Sequence, residues 1–132
     1  MQGLHLTADI TGCNAPHSLM TNADELRKTC LGLVRRSRLT AVSDVFFAFP
    51  ATAEGESGGV TGTVLLAESH LAIHTWPELS AVTLDVYVCN YSADNSGKAQ
   101  ALIDALISLF KPAQIVRKQL DRGGVGTVEM NT

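Results

Sequence analysis

The chain has 132 residues and a formal net charge of −3, and 45% of its residues are hydrophobic. This length and apolar content fit one globular domain with its own core, and they exclude an intrinsically disordered chain. The small negative charge excludes a basic surface for nucleic acid, and no apolar stretch approaches the roughly 20 residues that cross a bilayer. Three cysteines without close spacing predict neither a disulfide framework nor a zinc knuckle. We therefore expect a cytoplasmic protein that acts on a small molecule.

The first half of the chain predicts a strand, a helix and a second strand. Residues 3–10 alternate apolar and polar side chains, with the two-residue period of a strand. Residues 22–36 carry apolar side chains at helical spacing, with acidic residues early and basic residues late, as the helix dipole favours. Residues 41–49 predict a second strand, and residues 50–59, rich in Gly, Ala, Ser and Glu, predict an exposed loop.

The second half predicts two more strands, a helix and a last strand. Residues 63–73 predict a third strand, interrupted at Glu68-Ser69, and residues 82–89 predict a fourth. An apolar helical stripe runs over residues 96–110, and residues 114–120 predict the final strand. The order β-α-β-β-β-α-β favours an α+β two-layer sandwich, in which an antiparallel sheet carries two helices on one face. The other face could then pair with a second protomer.

The richest chemistry lies between Glu68 and Glu78, where the chain reads ESHLAIHTWPE, and Cys89 follows eleven residues later. This stretch combines a hydroxyl, two imidazoles, two carboxylates and a thiol with interleaved apolar side chains. It resembles, nearly letter for letter, the processing site of S-adenosylmethionine decarboxylase in its short bacterial and archaeal form.

The resemblance implies a proenzyme that cleaves itself. The chain would be cut between Glu68 and Ser69, giving a β chain of residues 1–68 and an α chain of residues 69–132. Ser69 Oγ would attack the carbonyl carbon of Glu68 and exchange the amide for an ester. His74 would then remove the α-proton of Ser69, and elimination would leave a dehydroalanine that hydrolyses to a pyruvoyl group.

The same resemblance implies how a substrate would be held and decarboxylated. The covalent pyruvoyl group would form a Schiff base with the substrate amine and act as an electron sink, so we expect neither a metal nor pyridoxal phosphate. Cys89 would return a proton to the substrate, and Thr61 would assist processing where the family has a Ser. Phe49 would stack on adenine, and Glu78 would accept hydrogen bonds from the ribose. The family forms dimers with sites near the interface, so we expect a homodimer.

The substrate stays open between two classes. Phe49 and Glu78 favour S-adenosylmethionine, whose decarboxylated product would imply aminopropyl transfer toward spermidine. The chain departs from the family at residues 47–48 and 79–81, and homologues act on basic amino acids, so ornithine or arginine is the alternative substrate. Asn90 also follows the thiol where the family usually has Gly.

Two interpretations of another class can be set beside the decarboxylase. A serine hydrolase using Ser69 and His74 would need a G-x-S-x-G elbow, and neither glycine flanks Ser69. A homologue that binds a ligand or a partner decarboxylase without cleaving itself would keep the fold, and an intact chain would support it. His70 and His74 would lie about 13 Å apart on a strand, too far to share a metal.

Overall fold

The computed structural model describes residues 2–124. Within these residues one antiparallel sheet is combined with three helices. The strands are β1 (Gln2–Thr11), β2 (Ala41–Ala48), β3 (Val60–Leu66), β4 (Ser69–Trp76), β5 (Ala81–Cys89) and β6 (Gln114–Gly123). The helices are α1 (His17–Thr21), α2 (Ala23–Arg36) and α3 (Ser96–Phe110), and a short 3-10 turn spans Pro77–Leu79.

The strand order across the sheet is β2-β3-β4-β5-β1-β6, with antiparallel pairing throughout. β1 therefore lies between two strands from the second half of the chain, and its Leu6 pairs with Val86 on one side and Gln119 on the other. This architecture confirms the predicted α+β sandwich. The five-residue helix α1 is an addition, because it is too short to show a helical period in the sequence.

The prediction of one interrupted strand over residues 63–73 is wrong, because this stretch is a hairpin. β3 ends at Leu66 and β4 begins at Ser69, and these two residues pair with each other across the turn. The apolar alternation runs through both strands, and the turn residues Ala67-Glu68 lack the Asn-Gly or Asp-Gly signal that marks a two-residue hairpin loop. The sheet consequently has six strands and not five.

The core lies between the sheet and the helices. Leu71 of β4 and Val86 of β5 are fully buried in the same core cluster as the apolar stripe of α3, which ends at the buried Phe110. On α2, Cys30 is completely buried, and this burial raises the pKa of its thiol to about 12. The helix α2 begins where predicted, since the side chain of Asn22 accepts a hydrogen bond from the Glu25 N–H.

The opposite side of the sheet, the outer face, is covered by none of the described helices. It mixes polar side chains with four apolar ones that are at least half exposed: Val45 at 71%, Phe47 at 55%, Leu65 at 50% and Leu120 at 59%. Exposed apolar side chains in this number on one face are typical of a surface that meets another protein. Among residues 2–124, no helix has the length and apolar character to span a membrane.

Candidate active site

The Glu68–Ser69 bond lies at the tip of the β3–β4 hairpin. Ala67 and Glu68 form its two-residue loop, since Leu66 and Ser69 are paired. Glu68 adopts a left-handed backbone with φ of 60°, a conformation that costs a residue with a side chain about 1–2 kcal/mol. The backbone strain therefore lies on the residue whose carbonyl precedes Ser69.

Ser69 and Cys89 meet at this end of the sheet. Ser69 is the first residue of β4 and Cys89 the last of β5, and they are only 9% and 7% exposed. The Cys89 backbone N–H donates a hydrogen bond of 3.1 Å to Ser69 Oγ. The serine hydroxyl, on the helix-covered side of the sheet, is consequently fixed beside the backbone of Cys89.

His74 lies elsewhere on the same strand. It is five residues after Ser69, so the two side chains point to opposite faces of β4 and are separated by about 16 Å along the strand. Its neighbour is Thr61 of β3, which is its register partner and whose Oγ1 is 3.1 Å from His74 Nδ1. The expectation that His74 reaches the Ser69 α-proton is not met within one chain, although Thr61 and His74 do come together.

Phe49 and Glu78 lie at the same end of the sheet as His74. Phe49 follows β2, and its ring contacts Phe47 edge-on with centroids 4.9 Å apart. Its N–H donates to the Gly59 carbonyl, and a side chain on Gly59 would strike the Thr75 carbonyl oxygen. Glu78 follows Thr75 within the 3-10 turn, so the close approach at Gly59 keeps the Phe49 segment near the Glu78 segment.

In one protomer the predicted site residues thus form two groups. One, the serine end, contains Glu68, Ser69 and Cys89. The other, the histidine end, contains Thr61, His74, Phe49 and Glu78. The length of β4 separates them, and neither group alone contains the predicted nucleophile, base and substrate contacts together.

Comparison with known proteins identifies the family to which the chain is similar. Residues 4–123 match the family described as S-adenosylmethionine decarboxylase. A relative from Hydrogenobaculum sp. (strain Y04AAS1), named S-adenosylmethionine decarboxylase proenzyme, is 36% identical over 92% of this chain and 81% of its own length. A relative of the same name from Picrophilus torridus is 31% identical over 92% of this chain and 84% of its own. The crystal structure of the adenosylmethionine decarboxylase from Aquifex aeolicus superimposes with a TM-score of 0.79 at 34% identity, covering 98% of this chain and 97% of that one.

The chain belongs to the S-adenosylmethionine decarboxylase family. The name proenzyme, shared by the relatives, implies that the family matures by processing into pyruvoyl-dependent decarboxylases. The sequence-based assignment to this family and to this class of enzyme is confirmed.

In this member of the family, the outer face carries a cluster that the sequence did not predict. His5 of β1 and His70 of β4 flank Asp85 of β5, with His5 Nε2 3.3 Å and His70 Nε2 3.9 Å from its carboxylate oxygens. The Arg122 guanidinium donates to His5 Nδ1 at 3.2 Å and lies over the Tyr87 ring. Because Arg122 only donates, neutral His5 carries its own proton on Nε2, the atom that a metal would need. The cluster is therefore better described as a polar network than as a metal site.

Two cations beside Glu68 were also missed by the sequence analysis. Arg38 and Lys98 line an open cleft of about 160 Å³ together with Glu68, although they are far apart in the chain. Neither forms an ion pair within the described residues, so both are free to attract a carboxylate at the hairpin tip. Only the topology that packs the β5–α3 loop against the hairpin could have shown this.

Proposed function

We propose that this chain is a proenzyme that cleaves itself between Glu68 and Ser69 and then decarboxylates S-adenosylmethionine. The observation that carries the proposal is the hydroxyl of Ser69, which is nearly buried, held by the Cys89 N–H, and attached directly after the left-handed Glu68. The products would be a β chain of residues 1–68 and an α chain of residues 69–132.

The hairpin geometry supports cleavage at this bond. Strain at Glu68 raises the energy of the intact turn, and it is relieved when Glu68 becomes a chain end. The hydroxyl is ordered before reaction, which removes part of the entropic cost of attack on the Glu68 carbonyl. Arg38 and Lys98 offer positive charge where the new Glu68 carboxylate would form.

Ser69 fits the requirement for a pyruvoyl precursor, because it would become the first residue of the α chain while staying beside Cys89. The pyruvoyl group would supply the electron sink for loss of carbon dioxide. Cys89 would deliver the proton to the substrate carbon, since its residue lies next to Ser69 and is shielded from water. We assign no metal to this reaction.

We further propose that the working enzyme is a homodimer in which the serine end of one protomer faces the histidine end of the other. Within one chain His74 lies about 16 Å from Ser69 along β4. Pairing of the outer faces would cover their exposed apolar side chains and bring His74 of the partner subunit to the serine end of the sheet. Thr61, hydrogen-bonded to His74, would orient that imidazole.

Phe49 and Glu78 would bind the substrate in this arrangement. Phe49 is 51% exposed and offers its ring to an adenine, and Glu78 can accept hydrogen bonds from the ribose hydroxyls. The relatives described above are named S-adenosylmethionine decarboxylase proenzyme. Neither of the alternatives, a decarboxylase of ornithine or arginine or a binding protein that does not cleave itself, is therefore favoured. All three cysteines are free, which agrees with a reducing compartment and with the cytoplasm as the proposed location.

A denaturing mass spectrum after incubation with S-adenosylmethionine, ornithine or arginine under reductive trapping tests the activity. We expect two fragments divided before Ser69 and an adduct of S-adenosylmethionine mass on the C-terminal fragment. Ser69→Ala should give one intact, inactive chain, whereas Ser43→Ala, on the exposed part of β2, should cleave normally. A wild-type chain that stays whole would overturn the proposal in favour of a non-catalytic role.

Coexpression of two differently tagged variants tests the shared site. His74→Ala alone should remain uncut, because neither site then has the His74 imidazole. Paired with Ser69→Ala, the His74→Ala chain should be cut, since its Ser69 then meets the intact partner's His74. If the His74→Ala chain stays whole in the mixed dimer, the two ends do not come from different protomers.

A further inference from the structure

Cys89 is held at both of its backbone groups. Its N–H donates to Ser69 Oγ at 3.1 Å, and its carbonyl accepts a hydrogen bond of 2.9 Å from the side-chain amide of Asn95. Asn95 thus reaches back across the loop that joins β5 to α3. The hydroxyl of Ser69 is consequently linked to Asn95 through a single residue.

Asn95 is itself fixed by its neighbours. Its backbone N–H donates to Asn90 Oδ1 at 2.7 Å, and the amide of Asn90 donates to Ser96 Oγ at 3.0 Å. The Asn90 N–H donates in turn to the carbonyl of Gln2 on β1 at 2.7 Å. The loop after Cys89 is therefore tied to β1 and to the first residue of α3, and the Asn95 amide has little freedom to leave the Cys89 carbonyl.

The position of Asn95 makes this contact informative. Asn95 is the N-cap residue of α3, where an Asn side chain normally accepts a hydrogen bond from the first turn and stabilises the helix by about 1 kcal/mol. Here its side chain makes no such bond and is turned toward Cys89. A stabilising cap is given up for a contact with a residue of the site, which is the kind of local conflict expected where function constrains a residue.

We infer that Asn95 is a positioning residue that holds Cys89, and through it Ser69, in the geometry needed for cleavage and proton delivery. The inference rests on the proposed function of Ser69 and Cys89. Asn95 contacts neither the Ser69 hydroxyl nor the substrate in this scheme. Its amide fixes the carbonyl of Cys89 and so restricts the backbone torsions of the residue whose N–H donates to Ser69 Oγ.

Asn95→Asp is the decisive variant, because it has the same shape but no amide donor. The carboxylate is repelled by the Cys89 carbonyl and is well suited to cap α3 instead. The matched control is Asp94→Ala in the same loop. Asp94 accepts from the Ser96 N–H, a hydrogen bond that lowers the pKa of Asp94, and it forms no described contact with Cys89.

The experiment measures the rate of chain cleavage in cell-free synthesis and the thermal midpoint of each purified variant. For Asn95→Asp we expect cleavage about tenfold slower, the size of one lost hydrogen bond, with a midpoint equal to or above that of wild type. The cleaved fraction should show a lower kcat with an unchanged KM. For Asp94→Ala we expect a lower midpoint with cleavage within about twofold of wild type.

The inference is overturned if Asn95→Asp cleaves at the wild-type rate, or if both variants lose cleavage in proportion to their loss of stability. A wild-type chain that does not cleave defeats the proposed function and not this inference. The positioning is then measured by iodoacetamide labelling of Cys89 in the intact chain, located by peptide mass. Labelling should accelerate at least about fivefold in Asn95→Asp alone, and equal rates in all three proteins would reject the role of Asn95.

Discussion

Glu68 concentrates the strain of the serine end on one residue. Glycine would adopt its left-handed conformation without cost, yet the chain keeps a carboxylate there, beside Arg38 and Lys98. The same residue supplies the carbonyl that Ser69 would attack. Strain, charge and the bond proposed to react therefore coincide at a single position, which general turn preferences do not explain.

The variant Cys89→Ala distinguishes chain cleavage from decarboxylation. We expect the chain still to split, because the backbone N–H that holds Ser69 Oγ is unchanged. Decarboxylation should fall at least about a hundredfold, the usual contribution of a positioned proton donor. Cleavage is measured by mass spectrometry and turnover by release of labelled carbon dioxide. Cys13→Ala, which alters a half-buried thiol outside the site, should leave both unchanged. Unaltered turnover in Cys89→Ala would remove the thiol from its proposed role.

At the scale of elements, periodicity predicted most of the fold. The bounds of α3 agree with the apolar stripe, β1 and β5 lie where alternation placed them, and β2 and β6 overlap the strands predicted over residues 41–49 and 114–120. The β3–β4 turn was missed because Ala67-Glu68 carries no turn signal, and its geometry depends on strand pairing. The separation of Ser69 from His74 could be predicted from the sequence, since side chains an odd number of residues apart on a strand point to opposite faces. The contact of Asn95 with Cys89 could not be predicted, because it depends on the conformation of the loop between β5 and α3.

The helix α2 gives a prediction for pH. Burial raises the Cys30 pKa from an ordinary 9.0 to about 12, so the folded chain keeps a proton that the unfolded chain loses. Stability from this thiol is full below pH 9 and is lost as the pH rises toward 12. Cys30→Ala should be less stable at pH 8 by about 1 kcal/mol and should lose less stability than wild type between pH 8 and 10. Urea unfolding at pH 8 and at pH 10 measures the free energy of unfolding of both proteins. An equal loss of stability in the variant and in wild type would contradict the prediction.

At the scale of the whole molecule, the two faces of the sheet differ in what covers them. One holds the helices and the core, and the other presents Val45, Phe47, Leu65 and Leu120 around the His5–Asp85–His70 network. A sheet with one bare face containing this much apolar surface is stabilised by a second layer. The sequence predicted the bare face from the number of helices, but only the strand register shows which side chains lie on it.

Leu65→Lys tests the outer face as the dimer contact. Leu65 pairs with His70 and is half exposed, so a lysine there should leave the fold intact but repel a second outer face. We expect sedimentation to show monomers at concentrations where wild type is dimeric, and cleavage to slow by about tenfold or more. The control is Ile115→Lys, since Ile115 pairs with the buried Ile10 and so lies on the helix side. If Leu65→Lys has the same dimer dissociation constant as wild type, the dimer contact lies elsewhere.

The separation of Ser69 from His74 along β4 has a consequence for the timing of maturation. If each site is completed only when two chains meet, a newly synthesised chain stays inert until its concentration allows pairing. Maturation would then follow second-order kinetics at low expression and become first-order once every chain has a partner. The distance between two side chains on one strand would thus set a minimum cellular concentration of the chain, below which little mature enzyme forms.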